Sequence, residues 1–421
     1  MVPLASWAKK AIGISGLLWA LPGLLALPGL LCTLILTLQG DRQAAEVGVV
    51  SLTLLAVTGG AGVAVAWHAW RSLAGKASAP LRLPAAWRWA SLFALCVVAG
   101  SVILETRFAP GLFFPPLLLA AAAAPPLLAL SWFTGGTAEG LTWRRGLSAL
   151  AGGATIGILV AVALEILLPV IVLALVAGLA DIVLPGVRAL LDALAGKEVA
   201  TAVASPGFVF VFVEIAVIAP LAEEFAKPLV ALPLLGRLAR RDAFLVAAMA
   251  GAGFAALENV IYAGFGLPFW VGILVVRALG GAIHPLGAGL VGLGWRDVLR
   301  GEAHAGLKLA GRFGLAAGIH ALWNGGSLLV ITLAGARFFG ELPPEIDILG
   351  LSAAGTTLAL LVALGLFALW LGRFVVQRTE AAVEPGGPQF ALSDRALAIW
   401  ALACLAAIVP AGIAGLQLLI R

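Results

Sequence analysis

Long apolar runs constrain this sequence more strongly than any other feature. Eleven stretches of about 20 or more residues contain few or no charged side chains, at about 14–38, 47–70, 86–104, 110–133, 148–180, 207–226, 243–265, 269–294, 313–335, 348–372 and 396–419. An α-helix needs about 20 apolar residues to span the hydrocarbon core of a bilayer. The pattern therefore predicts an all-α fold, a polytopic membrane helix bundle with about 11 transmembrane helices.

The composition excludes a soluble globular protein. Of the 421 residues, 62% are hydrophobic and 11% are charged, which is under half of the about 25% charged residues usual in soluble domains. The net charge is +5, but no basic cluster with interleaved aromatic residues accompanies it, so nucleic acid is not an expected partner. The expected partner of such a surface is the lipid bilayer.

The basic residues predict an orientation. If the N-terminus lies inside, the inside segments hold 19 of the 26 Lys and Arg residues, the outside segments hold six, and Arg277 lies within a span. Because Lys and Arg concentrate in cytoplasmic loops, this split predicts an N-terminus inside and a C-terminus outside, with Glu224 near the inner face. Between the fifth and sixth spans, an apolar stripe from Val187 to Leu194 predicts a short interfacial helix.

Ionisable side chains at membrane depth indicate where chemistry takes place, because each costs about 2.5–3.5 kcal/mol even on lenient insertion scales. They concentrate in four consecutive spans, between Glu214 and Asn324. The first element is Glu223-Glu224-x-x-Lys227. Adjacent helical residues project about 100° apart, so we expect one glutamate to face the bundle interior and the other to pair with Lys227. The alternative is an interfacial Glu–Lys pair that ends a span.

The next spans supply the remaining polar groups. Phe254, Glu258 and Tyr262 recur every four residues and share one helical face. Arg277, deep in its span, needs a carboxylate, which Glu258 or Glu224 would supply. His284 follows Arg277 by seven residues and precedes Pro285, where the helix is expected to kink.

The last element is His320 with Asn324, four residues apart on one face. Together, two carboxylates, two histidines, an arginine and an asparagine suffice to activate a water and to stabilise an oxyanion. They also suffice to hold a zinc ion with one open position. The cluster contains no Ser or Cys nucleophile and no Gly-x-Ser-x-Gly, His-Glu-x-x-His, Walker or dinucleotide motif. This favours attack by water.

Taken in order, four motifs resemble the PrsW family, within the larger group of CAAX prenyl-endopeptidase and bacteriocin-processing-like intramembrane proteases. The motifs are Glu223-Glu224-x-x-Lys227, Phe254-x-x-x-Glu258-Asn259-x-x-Tyr262, His284 and His320-x-x-x-Asn324. They cover about residues 207–330, roughly 30% of the chain. The CAAX-type enzymes have a histidine at the position of Glu258, so this chain departs from that group there.

The resemblance implies an intramembrane endopeptidase of the bacterial inner (plasma) membrane whose substrate is a membrane-anchored protein, such as an anti-sigma factor. The catalytic residues that it implies are Glu223, Glu224, Glu258, His284, His320 and Asn324, supported by Lys227, Arg277, Tyr262 and Asn259. In a glutamic mechanism, Glu224 or Glu223 is the general base and His320 with Asn324 forms the oxyanion site. In a metalloprotease, zinc would be held by Glu224, Glu258, His284 and His320.

Three regions follow from the distribution of the motifs. We expect residues 1–206 to form an accessory transmembrane region of about five helices and the interfacial helix, residues 207–335 a catalytic core of four helices, and residues 336–421 the C-terminal helices. The competing hypothesis is a non-catalytic membrane protein that binds or transports a small ligand or ion, because buried ionisable residues also mark ion paths. That protein would show ligand-dependent flux without cleaving any membrane peptide.

Overall fold

Nearly all of the described chain is helical. The computed structural model describes residues 5–41, 43–135, 141–177, 206–338 and 344–379. Apart from an isolated bridge between Pro80 and Thr142, these residues form no strand. The predicted all-α fold is confirmed.

The helices follow one another with short connections. In the first half they are α1 (Ser6–Leu24), α2 (Ala26–Leu38), α3 (Ala44–Leu54), the π-helical Leu55–Gly60, α4 (Ala61–Leu73), α5 (Ala86–Thr106), α6 (Pro110–Thr134), α7 (Trp143–Gly152), the π-helical Gly153–Gly157 and α8 (Ile158–Ala177). In the second half they are α9 (Pro206–Val213), the π-helical Glu214–Ile218, α10 (Ala219–Ala226), the 3-10 turn Lys227–Val230, α11 (Leu232–Leu235), α12 (Arg240–Phe265), the 3-10 turn Leu267–Phe269, α13 (Trp270–Leu279), α14 (Ile283–Leu299), α15 (Ala305–Phe338) and α16 (Pro344–Arg378).

Nine helical stretches within the described ranges are long and apolar enough to cross a membrane. They correspond to nine of the eleven predicted spans, which confirms the polytopic membrane bundle. The predicted span 207–226 is helical as well, from Pro206 to Ala226. The last predicted span, 396–419, and the predicted interfacial helix lie outside the described residues. The orientation and the three-region division stay predictions.

The predicted span 269–294 is broken rather than continuous. A turn at Gly280–Ala282 separates α13 from α14. Gly280 lies flat against the indole of Trp323, where a β-carbon would come within 2.4 Å of the ring. Pro285 falls in the first turn of α14, where its missing N–H leaves no helical hydrogen bond unmade. The break therefore places His284 in the first turn of a new helix.

Helix α12 is the centre of the bundle. In the most apolar stretch of α12, 83% of the residues are buried, whereas in the other candidate membrane spans the buried share is at most 50%. Small residues allow α7 to meet it backbone to backbone, because a β-carbon on Gly253 would lie 1.9 Å from the carbonyl oxygen of Leu150, and one on Gly153 would lie 1.9 Å from that of Ala250. Such close approach is typical of helix packing in membranes. It brings the fifth span directly against the helices that carry the polar residues.

A network of charged side chains ties α12, α14 and α15 together at one end of the bundle. Asp297 is fully buried and accepts hydrogen bonds from Arg240 (3.0 Å) and Arg312 (2.7 Å). Arg296, also fully buried, donates to the backbone carbonyl of Leu238 and to Glu302. Because every buried charge has an opposite charge or a carbonyl as partner, the network fixes these three helices relative to one another.

Glu302 makes the stability of this end depend on pH. Partial burial raises the pKa of Glu302, but hydrogen bonds from Arg296 and the charge of Arg240 outweigh it and lower the pKa from 4.5 to about 2. A carboxyl group whose pKa is depressed by folding stabilises the fold above its unfolded pKa, and this contribution is lost as the pH falls towards its folded pKa. We expect the unfolding temperature in detergent to fall between about pH 5 and pH 2, and to fall less in Glu302→Gln.

The matched control is Glu105→Gln, because Glu105 is an exposed carboxylate that takes part in no ion pair among the described residues. This variant should keep the pH dependence of the wild type. An identical pH dependence in Glu302→Gln and in the wild type would show that the network does not hold Glu302 ionised.

Candidate metal centre

Three buried side chains from three helices bring a carboxylate oxygen and two imidazole nitrogens together. Glu223 lies in α10, His284 in α14 and His320 in α15, and their candidate ligand atoms all lie within 4.8 Å of one another. Glu223 Oε2 is 3.7 Å from His284 Nδ1 and 3.8 Å from His320 Nε2. The two imidazole rings meet edge to face with their centroids 4.7 Å apart.

The candidate ligand atoms of Glu223, His284 and His320 are suited to bind a metal ion. Glu223 Oε2, His284 Nδ1 and His320 Nε2 are buried and none of them has a hydrogen-bond partner among the described residues, although buried polar atoms are normally paired. Glu223 Oε2 forms an ion pair with Lys227 Nζ at 3.0 Å. One carboxylate and two imidazoles are a protein ligand set of catalytic zinc, which leaves the fourth position open.

Each histidine is oriented by a second carboxylate. His320 Nδ1 lies 3.0 Å from Glu224 Oε1, and His284 Nε2 lies 3.3 Å from Glu258 Oε2. Lys227 Nζ and Arg277 Nη2 also lie 3.5 Å and 3.4 Å from these two nitrogens. In the tautomer in which each ring donates to its carboxylate, these nitrogens carry the protons. The lone pairs are then on His320 Nε2 and His284 Nδ1, the two nitrogens that face Glu223. Carboxylates bound to the outer nitrogen of ligand histidines are a recurring feature of metal sites.

Lys227 joins the two adjacent glutamates. Its Nζ lies 3.0 Å from Glu223 Oε2 and 2.7 Å from Glu224 Oε1, and 4.7 Å from the centre of the Phe254 ring. The expectation that only one glutamate would pair with Lys227 is therefore wrong, because a long side chain three and four residues further along the helix reaches both carboxylates. Lys227 and Glu224 are fully buried, which also excludes the interfacial alternative.

Arg277 pairs with Glu258, which is one of its two expected partners. Its Nη2 donates to Glu258 Oε2 at 2.5 Å, its Nε donates to Asn259 Oδ1, and its guanidinium lies 4.7 Å from the centre of the Tyr262 ring. The Asn259 amide donates in turn to the carbonyl of Ala122 in α6. Three of the four predicted supporting residues, Arg277, Asn259 and Tyr262, thus form one chain of contacts that holds Glu258 against His284.

Asn324 lies on the same helix as His320 but contacts another element. Its Nδ2 donates to the carbonyl of Ile215 at 3.1 Å. Ile215 belongs to the π-helical segment Glu214–Ile218, where the regular helical hydrogen bonds are interrupted and a carbonyl needs a new partner in lipid. The role of Asn324 in an oxyanion site stays a prediction.

Glu165 is a carboxylate of this region that the sequence analysis did not single out. It lies half-buried in α8, close enough to Glu258, Glu214 and Lys227 to interact electrostatically with each. The sequence alone could have identified Glu165, because it is an ionisable residue inside the predicted span 148–180. The cost of burying a charge in the bilayer identifies it in the same way as Glu258.

The two histidines lie well away from the charged network at the end of the bundle. His320 follows Arg312 by eight residues, and His284 precedes Arg296 by twelve. At about 1.5 Å of rise per residue, the histidines lie about 12–18 Å from the charged network at the end of the bundle. The position of Glu224 relative to the inner face of the membrane stays a prediction.

Gly287 makes room for Glu224. A β-carbon on Gly287 would lie 2.3 Å from Glu224 Oε2 and 2.8 Å from its Cδ. We expect Gly287→Ala to displace Glu224 and, through it, His320, and so to lower metal affinity by about 10–100-fold, as loss of an outer ligand partner does. Isothermal titration of the purified protein with zinc measures this.

Gly318→Ala is the control for that substitution. Gly318 lies two residues before His320 and nothing approaches the position of its β-carbon within 4 Å. It should bind zinc as the wild type does. Wild-type affinity in Gly287→Ala would contradict the role of Glu224 in orienting His320.

One comparison with known proteins finds a match. Residues 145–343 match the family model described as PrsW family intramembrane metalloprotease. The matched region contains every residue of the candidate metal centre, the whole of α8, and α7 without its first two residues. No curated protein and no solved structure matches the chain.

Proposed function

We propose that the chain, which belongs through residues 145–343 to the PrsW family of intramembrane proteases, hydrolyses a peptide bond of a membrane-anchored protein. The reaction would take place at a zinc site formed by Glu223, His284 and His320. One observation carries the proposal. Three candidate ligand atoms that lack hydrogen bonds, Glu223 Oε2, His284 Nδ1 and His320 Nε2, face one another. The outer nitrogen of each histidine contacts a carboxylate.

The charges of the site support a divalent cation. Glu223, Glu224 and Glu258 carry three negative charges when ionised, and Lys227 and Arg277 carry two positive charges, so the group has a net charge of −1. An excess negative charge in a buried site attracts a cation. When bound, zinc would supply a Lewis acid that polarises the scissile carbonyl and activates water near neutral pH.

The residues of the chain have distinct proposed roles. Glu223, His284 and His320 bind the metal, and Glu224 and Glu258 hold the protons of the two imidazoles at His320 Nδ1 and His284 Nε2. Lys227, 3.0 Å from the ligand oxygen of Glu223, is the cation placed to stabilise negative charge that develops on the substrate carbonyl. Burial of the whole group excludes bulk water, which strengthens each of these interactions.

Burial of the site among apolar helices supports a substrate associated with the membrane. A peptide bond can reach a centre buried among membrane helices only if its chain is itself in or next to the bilayer. We infer from the family that this substrate is an anchored protein of the bacterial inner membrane, such as an anti-sigma factor.

The test is cleavage in proteoliposomes with a set of fluorescent single-span membrane proteins whose juxtamembrane sequences differ. We expect cleavage of at least one of them, complete loss of it after chelation, and recovery with zinc but not with magnesium. Undiminished cleavage by protein shown to be metal-free would contradict the metal mechanism. Ligand-dependent flux without cleavage of any member would contradict the protease.

A further inference from the structure

Two adjoining cavities lie between α5, α6 and α16. Their volumes are about 140 Å³ and 410 Å³. They share Ala90, Leu128 and Leu369 in their walls and therefore form one groove, which we call the α5–α6–α16 groove. None of its lining residues belongs to the candidate metal centre.

The groove is apolar in its depth and has a polar, aromatic mouth. Its wider part is lined by Ala86, Leu366 and Leu369 and by three tryptophans with Arg373. Trp87, Trp132 and Trp370 are 65%, 44% and 55% exposed. Tryptophan prefers the interface between the hydrocarbon and the lipid headgroups. This end of the groove therefore lies at headgroup level.

Arg373 provides a cation at that mouth. Its Nη1 donates to the carbonyl of Trp132 at 3.1 Å and its guanidinium lies 5.3 Å from the centre of the Trp132 ring. No carboxylate of the described residues forms an ion pair with it, and no acidic residue lines the groove. A guanidinium has five N–H donors in a planar fork that matches a phosphate. Arg88, stacked 5.5 Å above Trp87, adds a second positive charge nearby.

The size of the groove selects its occupant. A helix with side chains is about 10 Å wide, so about 410 Å³ would hold only about one helical turn. A flexible hydrocarbon chain fits such a space, and the cation at the mouth complements an anionic headgroup. We propose that the α5–α6–α16 groove is a binding site for an anionic phospholipid, with the phosphate on Arg373 and an acyl chain between α5 and α6.

The narrow end of the groove adjoins the site helices. Gly281 and Ala282 line it, and these residues form the turn that leads into His284. An acyl chain in the groove thus packs against the turn before a residue of the candidate metal centre. The lipid site itself stands on the groove and on Arg373, and does not depend on the proposed function.

Native mass spectrometry of the full chain tests the proposal. The protein is purified in a zwitterionic detergent and exposed to an equimolar mixture of phosphatidylglycerol and phosphatidylcholine. We expect preferential retention of phosphatidylglycerol. Retention in Arg373→Gln should be about tenfold weaker, which corresponds to about 1.4 kcal/mol, because this variant loses the charged donors that bind the phosphate. Arg378→Gln, the same change on the same helix outside the groove, should behave as the wild type.

Two further measurements separate the parts of the proposal. Ala90→Phe fills both cavities at their shared wall and should lower retention of the lipid while Arg373 is intact. A photo-crosslinking amino acid in place of Leu128 should form an adduct with lipid in the membrane. Equal retention of phosphatidylglycerol in Arg373→Gln and in the wild type would overturn the proposal, and so would crosslinks to residues 380–421 of the same chain or to a second protein instead of lipid.

Discussion

Replacement of Glu223 by glutamine is expected to abolish both metal binding and cleavage. The amide keeps the volume of the side chain but removes the anionic oxygen that faces His284 Nδ1 and His320 Nε2 at 3.7 and 3.8 Å. A neutral amide is a weak zinc ligand, and two imidazoles alone do not complete a catalytic site. The loss should exceed the about 10–100-fold that removal of an outer partner causes.

Glu224→Gln is the matched comparison, because it makes the same change one residue further along α10. Glu224 contacts the outer nitrogen of His320 at 3.0 Å and not the nitrogen that faces the centre. Its replacement should lower zinc affinity by about 10–100-fold and leave one zinc per chain at saturating metal. Metal content by mass spectrometry and cleavage of the reporter substrate are measured on both variants. If instead Glu224→Gln were metal-free and Glu223→Gln still bound zinc, Glu224 would be the metal ligand and Glu223 would not.

Replacement of Lys227 by methionine is expected to cause the largest loss of stability. Lys227 is fully buried and pairs with two carboxylates, at 3.0 Å and 2.7 Å. Removing one partner of a buried ion pair costs about 3–5 kcal/mol, because the remaining charge is left without compensation. Unfolding of the metal-free protein in detergent measures this free energy, since a bound cation would compensate the two glutamates and conceal the effect.

Two variants control this prediction. Lys308→Met removes a half-exposed lysine whose ion pair with Glu302 spans 3.5 Å, and surface pairs contribute only about 0–1 kcal/mol. The double variant Glu224→Gln/Lys227→Met removes one of the uncompensated carboxylates and should recover part of the lost stability. If Lys227→Met unfolds with a free energy like that of Lys308→Met, Lys227 does not hold the two glutamates together.

The positions of the membrane helices were predictable because about 20 apolar residues leave a chain few other structures in lipid. The cost of burying charge also identified the four spans that meet at the site. Both inferences depend only on local sequence. The pairing of Arg277 with a carboxylate followed from the same argument, and the structure assigns that carboxylate to Glu258.

The geometry within the site depends on contacts between distant helices. A separation of about 100° distinguishes the directions of Glu223 and Glu224. The packing of α14 and α15 on α10 decides which carboxylate lies between the two histidines and which contacts the outer nitrogen of His320. The same applies to Glu258, which was expected among the metal ligands and contacts the outer nitrogen of His284. Gly287 has no motif of its own, and its role appears only when Glu224 is placed against α14.

Zinc-edge X-ray absorption of the purified, zinc-loaded protein tests the proposed centre most directly. We expect two imidazole nitrogens and a carboxylate oxygen at about 2.0–2.2 Å from the metal. Glu224→Gln should retain both imidazoles, whereas His284→Ala and His320→Ala should each lose one imidazole or the metal. A spectrum without imidazole scattering in the wild type, or an unchanged spectrum in Glu223→Gln, would contradict the assignment of Glu223, His284 and His320 as the ligands.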